Sequence, residues 1–285
     1  MFLQQLKYNK IKKQDVWILS KRIGFIGAGK MAQAIIGGIL KSNNVAPEQL
    51  MASAVSKETV DHVKKRFAIQ VTTENKQVAE QADILFLAIK PDLHFHIIEE
   101  IKDWVKPNAI IITIAAGISL QFLEESFARK IKAVRSMPNT PSLIGEGMSA
   151  ISANDAVTED ELGKIVQIFS CFGKVEVLNE KLMDAIPAIS GSSPAYVYMF
   201  IEALADGGVK NGLTRKQAYT LAAQAVLGAA KMVLDTGKHP GELKDEVCTP
   251  GGATIEAVAE LEKTGFRAAV LSAMESCYQK TKSLS

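Results

Sequence analysis

The sequence predicts an α/β fold in two parts, a doubly wound parallel sheet followed by an all-α domain, and three observations predict it. From Lys21 to about Asn179, short β-prone apolar runs alternate with segments of helical period. The first run, Ile23-Gly24-Phe25-Ile26, enters a glycine turn, Gly27-Ala28-Gly29-Lys30-Met31-Ala32, that opens a helix. From Glu180 onward the pattern is helical to the end. Strand, tight glycine turn and helix are the order that a Rossmann-type dinucleotide-binding domain requires.

In that turn Gly27 lets the chain reverse, and Gly29 offers no side chain to collide with a pyrophosphate. Ala32 stands in the third small position, where the helix must pack closely on the strand. The first helical amides then point at the phosphates, with the dipole favouring negative charge. Met31, Ala34, Ile35 and Gly38 fall on one face of that helix. The second strand spans Leu50 to Val55. Where an NAD site would carry an acid at its end, the chain reads Ser53-Ala54-Val55-Ser56-Lys57. Hydroxyls and a lysine suit a 2′-phosphate, so Ser53 and Ser56 are candidate NADP(H) ligands. Ser56 also serves as the cap of a helix containing Thr59, Val63 and Phe67.

A third strand is read over Phe67 to Val71, and Asn75 starts the next helix. Asp83 to Ile89 is continuously apolar after its first residue, as a strand buried on both faces requires. It ends at Lys90-Pro91, and ligands of doubly wound sheets lie beyond such strand ends. Ala109 to Ile114 runs into Ala115-Ala116-Gly117, small residues that let a flat ring approach the backbone. Ile131 to Ser136 runs into Met137-Pro138-Asn139-Thr140-Pro141. Three successive strands thus end in unusual chemistry on one edge. His94 and His96 lack the spacing and third ligand of a metal site and read as surface or half-buried residues; no metal is expected. Met148 to Ser152 is a further strand. Thr158 to Glu161 forms a capping box before a helix with Leu162, Ile165, Val166 and Phe169 on one stripe. Gly173 ends it, and Val175 to Leu178 is the last strand.

In the second part Pro194 sits in a first helical turn, followed by a periodic segment to Val209 that carries Tyr196, Met199, Ala203 and Leu204. Thr214-Arg215-Lys216-Gln217 is a second capping box, leading an alanine-rich helix to about Asp235. Helices over Thr254 to Lys263 and Arg267 to Lys282 complete the chain. Small residues at the helix contacts suit close packing, within a subunit or between subunits. The turn Cys248-Thr249-Pro250-Gly251-Gly252-Ala253-Thr254 exposes backbone amides at a helix start. It suits a substrate carboxylate, and Thr254 adds a hydroxyl that can donate or accept. Thr249 as a plain helix cap explains neither glycine.

Composition bounds the alternatives. The chain has 285 residues, enough for two domains, with a net charge of +2 and 6% aromatic residues. Neither a basic excess nor a set of stacking platforms points to nucleic acid. Three widely spaced cysteines form no C-x-x-C pair, which suits reduced thiols in a cytoplasmic protein. The apolar runs are too short to cross a membrane. Residues 1–20, rich in Lys and Gln, differ in character from the strand-and-helix pattern after them. They read as an added extension or a misassigned start, with the natural chain beginning near Leu19. The expected domains are 21–179, binding the dinucleotide, and 180–285, helical.

Six segments together resemble the pyrroline-5-carboxylate reductases. They are Gly24 to Gly29, Ala88-Ile89-Lys90-Pro91, Met137 to Pro141, Ser190 to Tyr196, Ala205 to Lys210 and Cys248 to Thr254. The resemblance covers Lys21 to the C-terminus. It implies reduction of 1-pyrroline-5-carboxylate to L-proline by hydride from NADP(H), with NAD(H) as the alternative. It also implies a helical dimerisation domain exchanged between subunits, giving a homodimer or a ring of dimers, with no nucleic acid or membrane partner. Carried over to this chain, the cofactor contacts are Ile26, Gly27, Ala28, Gly29, Lys30, Met31, Asn75, Ala88, Ile89, Lys90, Pro91, Ala115, Ala116 and Gly117. The substrate contacts are Glu180, Thr249, Ala253 and Thr254, with Gly251 and Gly252 from the anion turn. One departure stands at Ala54, where relatives can place a hydroxyl against the 2′-phosphate.

Thr254 is the candidate catalytic residue, hydrogen-bonding the ring nitrogen of an imine that arrives already protonated. A β-hydroxyacid dehydrogenase would need a helix lysine in Gly191 to Phe200, and none is there. A cofactor-sensing or scaffolding module would bind the nucleotide without imine-dependent turnover.

Overall fold

A computed structural model describes residues 21–283; the reading of residues 1–20 as an extension lies outside the described residues. Among these, eight strands form one sheet: β1 (Ile23–Ile26), β2 (Leu50–Ser53), β3 (Gln70–Thr72), β4 (Ile84–Leu87), β5 (Ile110–Thr113), β6 (Lys132–Met137), β7 (Gly147–Ala153) and β8 (Gly173–Val177). Their order is β3-β2-β1-β4-β5-β6-β7-β8. The first six run parallel, β7 is antiparallel to β6, and β8 is parallel to β7.

Six helices cover the two faces: α1 (Lys30–Lys41), α2 (Lys57–Phe67), α3 (Asn75–Gln81), α4 (His94–Ile101), α5 (Leu120–Phe127) and α6 (Glu159–Ser170). Strand periodicity divides the core between the faces. Ile23, Phe25, Ile84, Phe86, Ile110 and Ile112 pack on one face with Ile35 and Ile39 of α1, Val63 of α2 and Phe169 of α6. Ile26, Leu85, Leu87 and Ile111 pack on the other with Val78 of α3, Ile98 of α4 and Leu123 of α5. Phe25 and Phe86 stack at 4.7 Å between ring centroids, and Phe169 continues the row.

The structure shifts several expected boundaries. Strand β3 begins at Gln70 because Phe67 closes α2 and Ala68 takes a left-handed cap at φ 55°. Strand β2 stops at Ser53 and leaves Val55 exposed. Helix α1 buries Ala32, Ala34, Ile35, Ile36 and Ile39, a broader face than the expected one, with Met31 partly buried. Gly38 lies where a Cβ would come 2.4 Å from that of Phe172, beyond the end of α6. The capping box at Thr158 is present as read.

Five helices follow: α7 (Ser193–Lys210), α8 (Arg215–Thr236), α9 (Pro240–Val247), α10 (Ala253–Lys263) and α11 (Phe266–Lys282). No element is predicted between Asp235 and Cys248, where helix α9 lies. His239 caps it by accepting from the Gly241 amide, and Pro240 takes the first helical position, where its missing N–H costs nothing. Two compact units result, one built on the sheet and reaching Pro187, the other Ala188–Lys280. The second unit has little core of its own. Helix α7 buries Ala205, α8 buries Ala218 and Ala222, and α9 and α10 bury no described residue. Among the described residues no helix is long and apolar enough to cross a membrane.

Candidate active site

One row of residues crosses the sheet at the carboxyl ends of its parallel strands. Register pairs Ile26 with Ser53 and Leu87, Leu87 with Thr113, and Thr113 with Arg135. The predicted cofactor residues leave this row within a few positions: Gly27 to Met31 after β1, Ser56 after β2, Ala88 to Pro91 after β4, and Ala115 to Gly117 after β5. The topology thereby gathers segments that lie far apart in sequence.

Gly27 turns at φ +95°, and a Cβ there would sit 2.4 Å from the Ala88 carbonyl oxygen. Its amide donates to Ser53 O at 3.1 Å, while the Ala88 amide donates to Ile26 O at 2.8 Å. Gly29 then caps α1 without a side-chain partner, and no acidic residue stands in the first turn. A Cβ at Gly29 would meet nothing within 4 Å, so the space over these amides is open. Bare amides, a helix N-terminus and room for the backbone to be approached fit a dinucleotide pyrophosphate. Lys30 is exposed beside it, and Ala28 is buried with its carbonyl accepting from Gln33 Nε2 at 2.9 Å.

Beyond β2 the two candidate hydroxyls are already engaged. Ser53 is fully buried and donates to Asn75 Oδ1 at 2.7 Å; Asn75 Nδ2 donates to Glu100 at 3.0 Å. Ser56 caps α2, accepting from the Thr59 amide at 3.2 Å, and remains exposed beside Lys57. His94 is fully buried, against the expectation of a surface or half-buried residue. Its ring is held between Lys90 O and Thr113 Oγ1, because α4 turns its first residue back under the β4 end.

The substrate candidates fall in both units. Glu180 belongs to the sheet unit, where it accepts from the Leu120 amide at the start of α5 at 2.7 Å and lies 3.6 Å from Arg135. Arg135, buried on β6, also donates to Asp184 at 2.5 Å. A charged residue buried within a strand of a doubly covered sheet demands such partners, but the segment Ile131 to Ser136 also carries Lys132, so the sequence did not single Arg135 out. Thr249, Gly251, Gly252, Ala253 and Thr254 lie together in the helical unit. Gly251 turns at φ +67°, and the Gly252 amide donates to Thr249 O at 3.0 Å. Gly252, not Thr249, is the N-cap of α10, without a side-chain partner, so the first amides of α10 have no side-chain cap. A Cβ at Gly252 would lie 2.3 Å from Thr249 Oγ1, so glycine there lets this hydroxyl approach the bare backbone. Thr254 is half-buried in the first turn of α10.

Comparison with known proteins gives the family. The model for pyrroline-5-carboxylate reductase dimerisation matches residues 180–284, and that for NADP oxidoreductase coenzyme F420-dependent matches 22–117. The pyrroline-5-carboxylate reductase of Escherichia coli K12 is 46% identical over 267 residues, 94% of this chain and 99% of that protein. The chain belongs to the pyrroline-5-carboxylate reductase family. The Arabidopsis thaliana reductase is 40% identical, over 93% of this chain and 96% of its own. The Plasmodium falciparum pyrroline carboxylate reductase, crystallised with NADP bound, superposes with a TM-score of 0.86 at 34% identity, covering 94% and 99% of the two chains.

Proposed function

We propose that the chain reduces 1-pyrroline-5-carboxylate to L-proline, with NADPH as the preferred reductant and NADH as the alternative. The observation that carries this reading is 46% identity over nearly the whole chain to an enzyme so named. In this reading residues 21–179 bind the nucleotide, and residues 180–285 bind substrate and join subunits.

The bound nicotinamide supplies a hydride to the imine carbon. The chain's own work is placement and charge. Bare amides at the start of α1 would hold the pyrophosphate, and Ala88 to Pro91 and Ala115 to Gly117 would border the rest of the nucleotide. Ser56 and Lys57 face the 2′-phosphate, and Asn75, held by Ser53, borders the same end. The amides at Gly251 to Thr254 hold the carboxylate with Thr249 beside them, and Glu180 is the candidate substrate residue of the sheet unit. Thr254 Oγ1 hydrogen-bonds the ring nitrogen, which enters protonated and keeps its proton as the C=N bond becomes C–N. Because hydride addition neutralises the cation, no strong acid is required at this position. Alignment of this kind lowers a barrier by on the order of 7–11 kcal/mol at best. The apolar side chains left exposed on α7 and α8, among them Met199, Leu221 and Leu234, are covered by self-association.

The test is loss of NADPH absorbance on adding pyrroline-5-carboxylate, with proline as product. Nucleotide binding without imine-dependent oxidation would instead support a sensor or scaffold.

A further inference from the structure

His94 is completely buried, yet nothing in the reaction above uses it. Nδ1 lies 3.0 Å from the Lys90 carbonyl oxygen, and Nε2 lies 3.0 Å from Thr113 Oγ1. A carbonyl only accepts, so Nδ1 carries the ring hydrogen. In the neutral ring Nε2 then accepts, and the Thr113 hydroxyl donates to it. Thr113 Oγ1 in turn accepts from the Ala115 amide at 3.2 Å. Donation is therefore one-directional, from the Ala115 amide through the Thr113 hydroxyl and the His94 ring to Lys90 O. Burial holds the His94 pKa below its ordinary value, opposed by the Lys90 and Pro91 backbone and by Asp92, which keeps the ring in the form this chain needs. The Thr113 carbonyl accepts from buried Ser136 at 2.8 Å, extending the brace to β6.

Packing alone does not call for an imidazole here. The other buried residues of α4 are Ile98 and Ile101, and an apolar side chain would avoid the cost of burying two polar nitrogens. What the imidazole adds is a rigid link between two strand ends, each of which begins a cofactor-facing segment.

We propose that His94 is a positioning residue for the nucleotide, presetting the spacing between Ala88–Pro91 and Ala115–Gly117 through its paired bonds to Lys90 O and Thr113 Oγ1. The inference rests on the assignment of those two segments to the cofactor under the proposed function.

The experiment measures the NADPH dissociation constant by nucleotide fluorescence, KM for both substrates, kcat and Tm. It uses the full chain and the variants His94→Leu, Thr113→Val, Thr113→Ser and the double variant His94→Leu/Thr113→Val. Thr113→Val keeps the shape and removes the link, so it serves if His94→Leu does not fold. The expected result is a rise of about fivefold to tenfold in NADPH Kd and KM for His94→Leu and for Thr113→Val. The imine KM and kcat stay within about twofold, Thr113→Ser restores wild-type values, and the double variant is no worse than either single one. A folded Thr113→Val protein with unchanged NADPH affinity, or variants that lower Tm alone, would overturn the inference while leaving the proposed function intact. A wild-type chain that binds no NADPH would overturn both.

Discussion

Ser53, at the buried end of β2, donates its hydroxyl hydrogen to Oδ1 of Asn75, the first residue of α3, across 2.7 Å. With Glu100 holding Nδ2, the Asn75 amide is fixed at both ends. A residue nominated as a direct phosphate ligand thus also orients a second nominated ligand. Ser53→Ala should raise the KM for NADPH about threefold to fivefold, from the loss of one neutral hydrogen bond, and leave the imine KM alone. Steady-state kinetics with each substrate varied in turn would show it; an unchanged NADPH KM would mean that Asn75 needs no such support.

The two glycines of the nucleotide turn should separate stability from binding. Gly27→Ala places a side chain at φ +95°, with its Cβ 2.4 Å from a carbonyl oxygen. It should cost about 1–3 kcal/mol from the backbone alone and weaken NADPH binding. Gly29→Val enters open space, so Tm should hold while NADPH affinity falls at least about tenfold. Thermal melts beside fluorescence titrations give both quantities.

Thr254→Ala should lower kcat with little change in NADPH affinity, and Thr254→Ser should be much milder because it keeps the hydroxyl. Single-turnover measurement of NADPH oxidation is the check. Turnover that survives Thr254→Ala would remove the residue from the mechanism.

Acid should destabilise the sheet unit through His94. Its folded pKa lies below 6.5, the unfolded value, chiefly because burial disfavours the charged ring. Below 6.5 the unfolded chain takes up a proton that the folded one resists. The contribution is therefore complete above 6.5, declines as pH falls toward the folded value, and is flat beneath that. Melting His94→Asn and wild type side by side from about pH 7.5 to about pH 5 should show a smaller loss of Tm in the variant. Parallel curves would remove His94 from the acid sensitivity.

The helical unit should depend on association for its stability. With Ala205, Ala218 and Ala222 as its buried residues on α7 and α8, its apolar side chains need a second copy. Tm should rise with protein concentration, and light scattering should give at least a dimer. A concentration-independent Tm with a monomer mass would contradict the proposed self-association.

Much of the architecture was legible because each signal was local. Phe25 and Phe86 lie in continuous apolar runs that only a doubly covered strand satisfies, and the Gly27 to Ala32 turn carries its own geometric reason. The capping boxes at Thr158 and Thr214 set two helix starts within a single turn of chain. Helix α9 was missed, although Pro240 stands at a first helical position, where proline is accepted. The broader buried face of α1 was missed because the helix packs against the Thr140–Ile144 segment, about a hundred positions further along the chain.

Local spacing alone determined the alternation of strand and helix in the sheet unit and the glycine turns at Gly27 and Gly251, since a few neighbouring residues dictate each of them. Only the tertiary structure decided how His94, Arg135 and Glu180 are used. Burial and hydrogen-bond partners belong to pairs brought together by the sheet, and Glu180 meets the Leu120 amide across 60 positions of chain. A polar side chain announces that it needs partners, but which ones it finds depends on which strand ends the fold sets side by side.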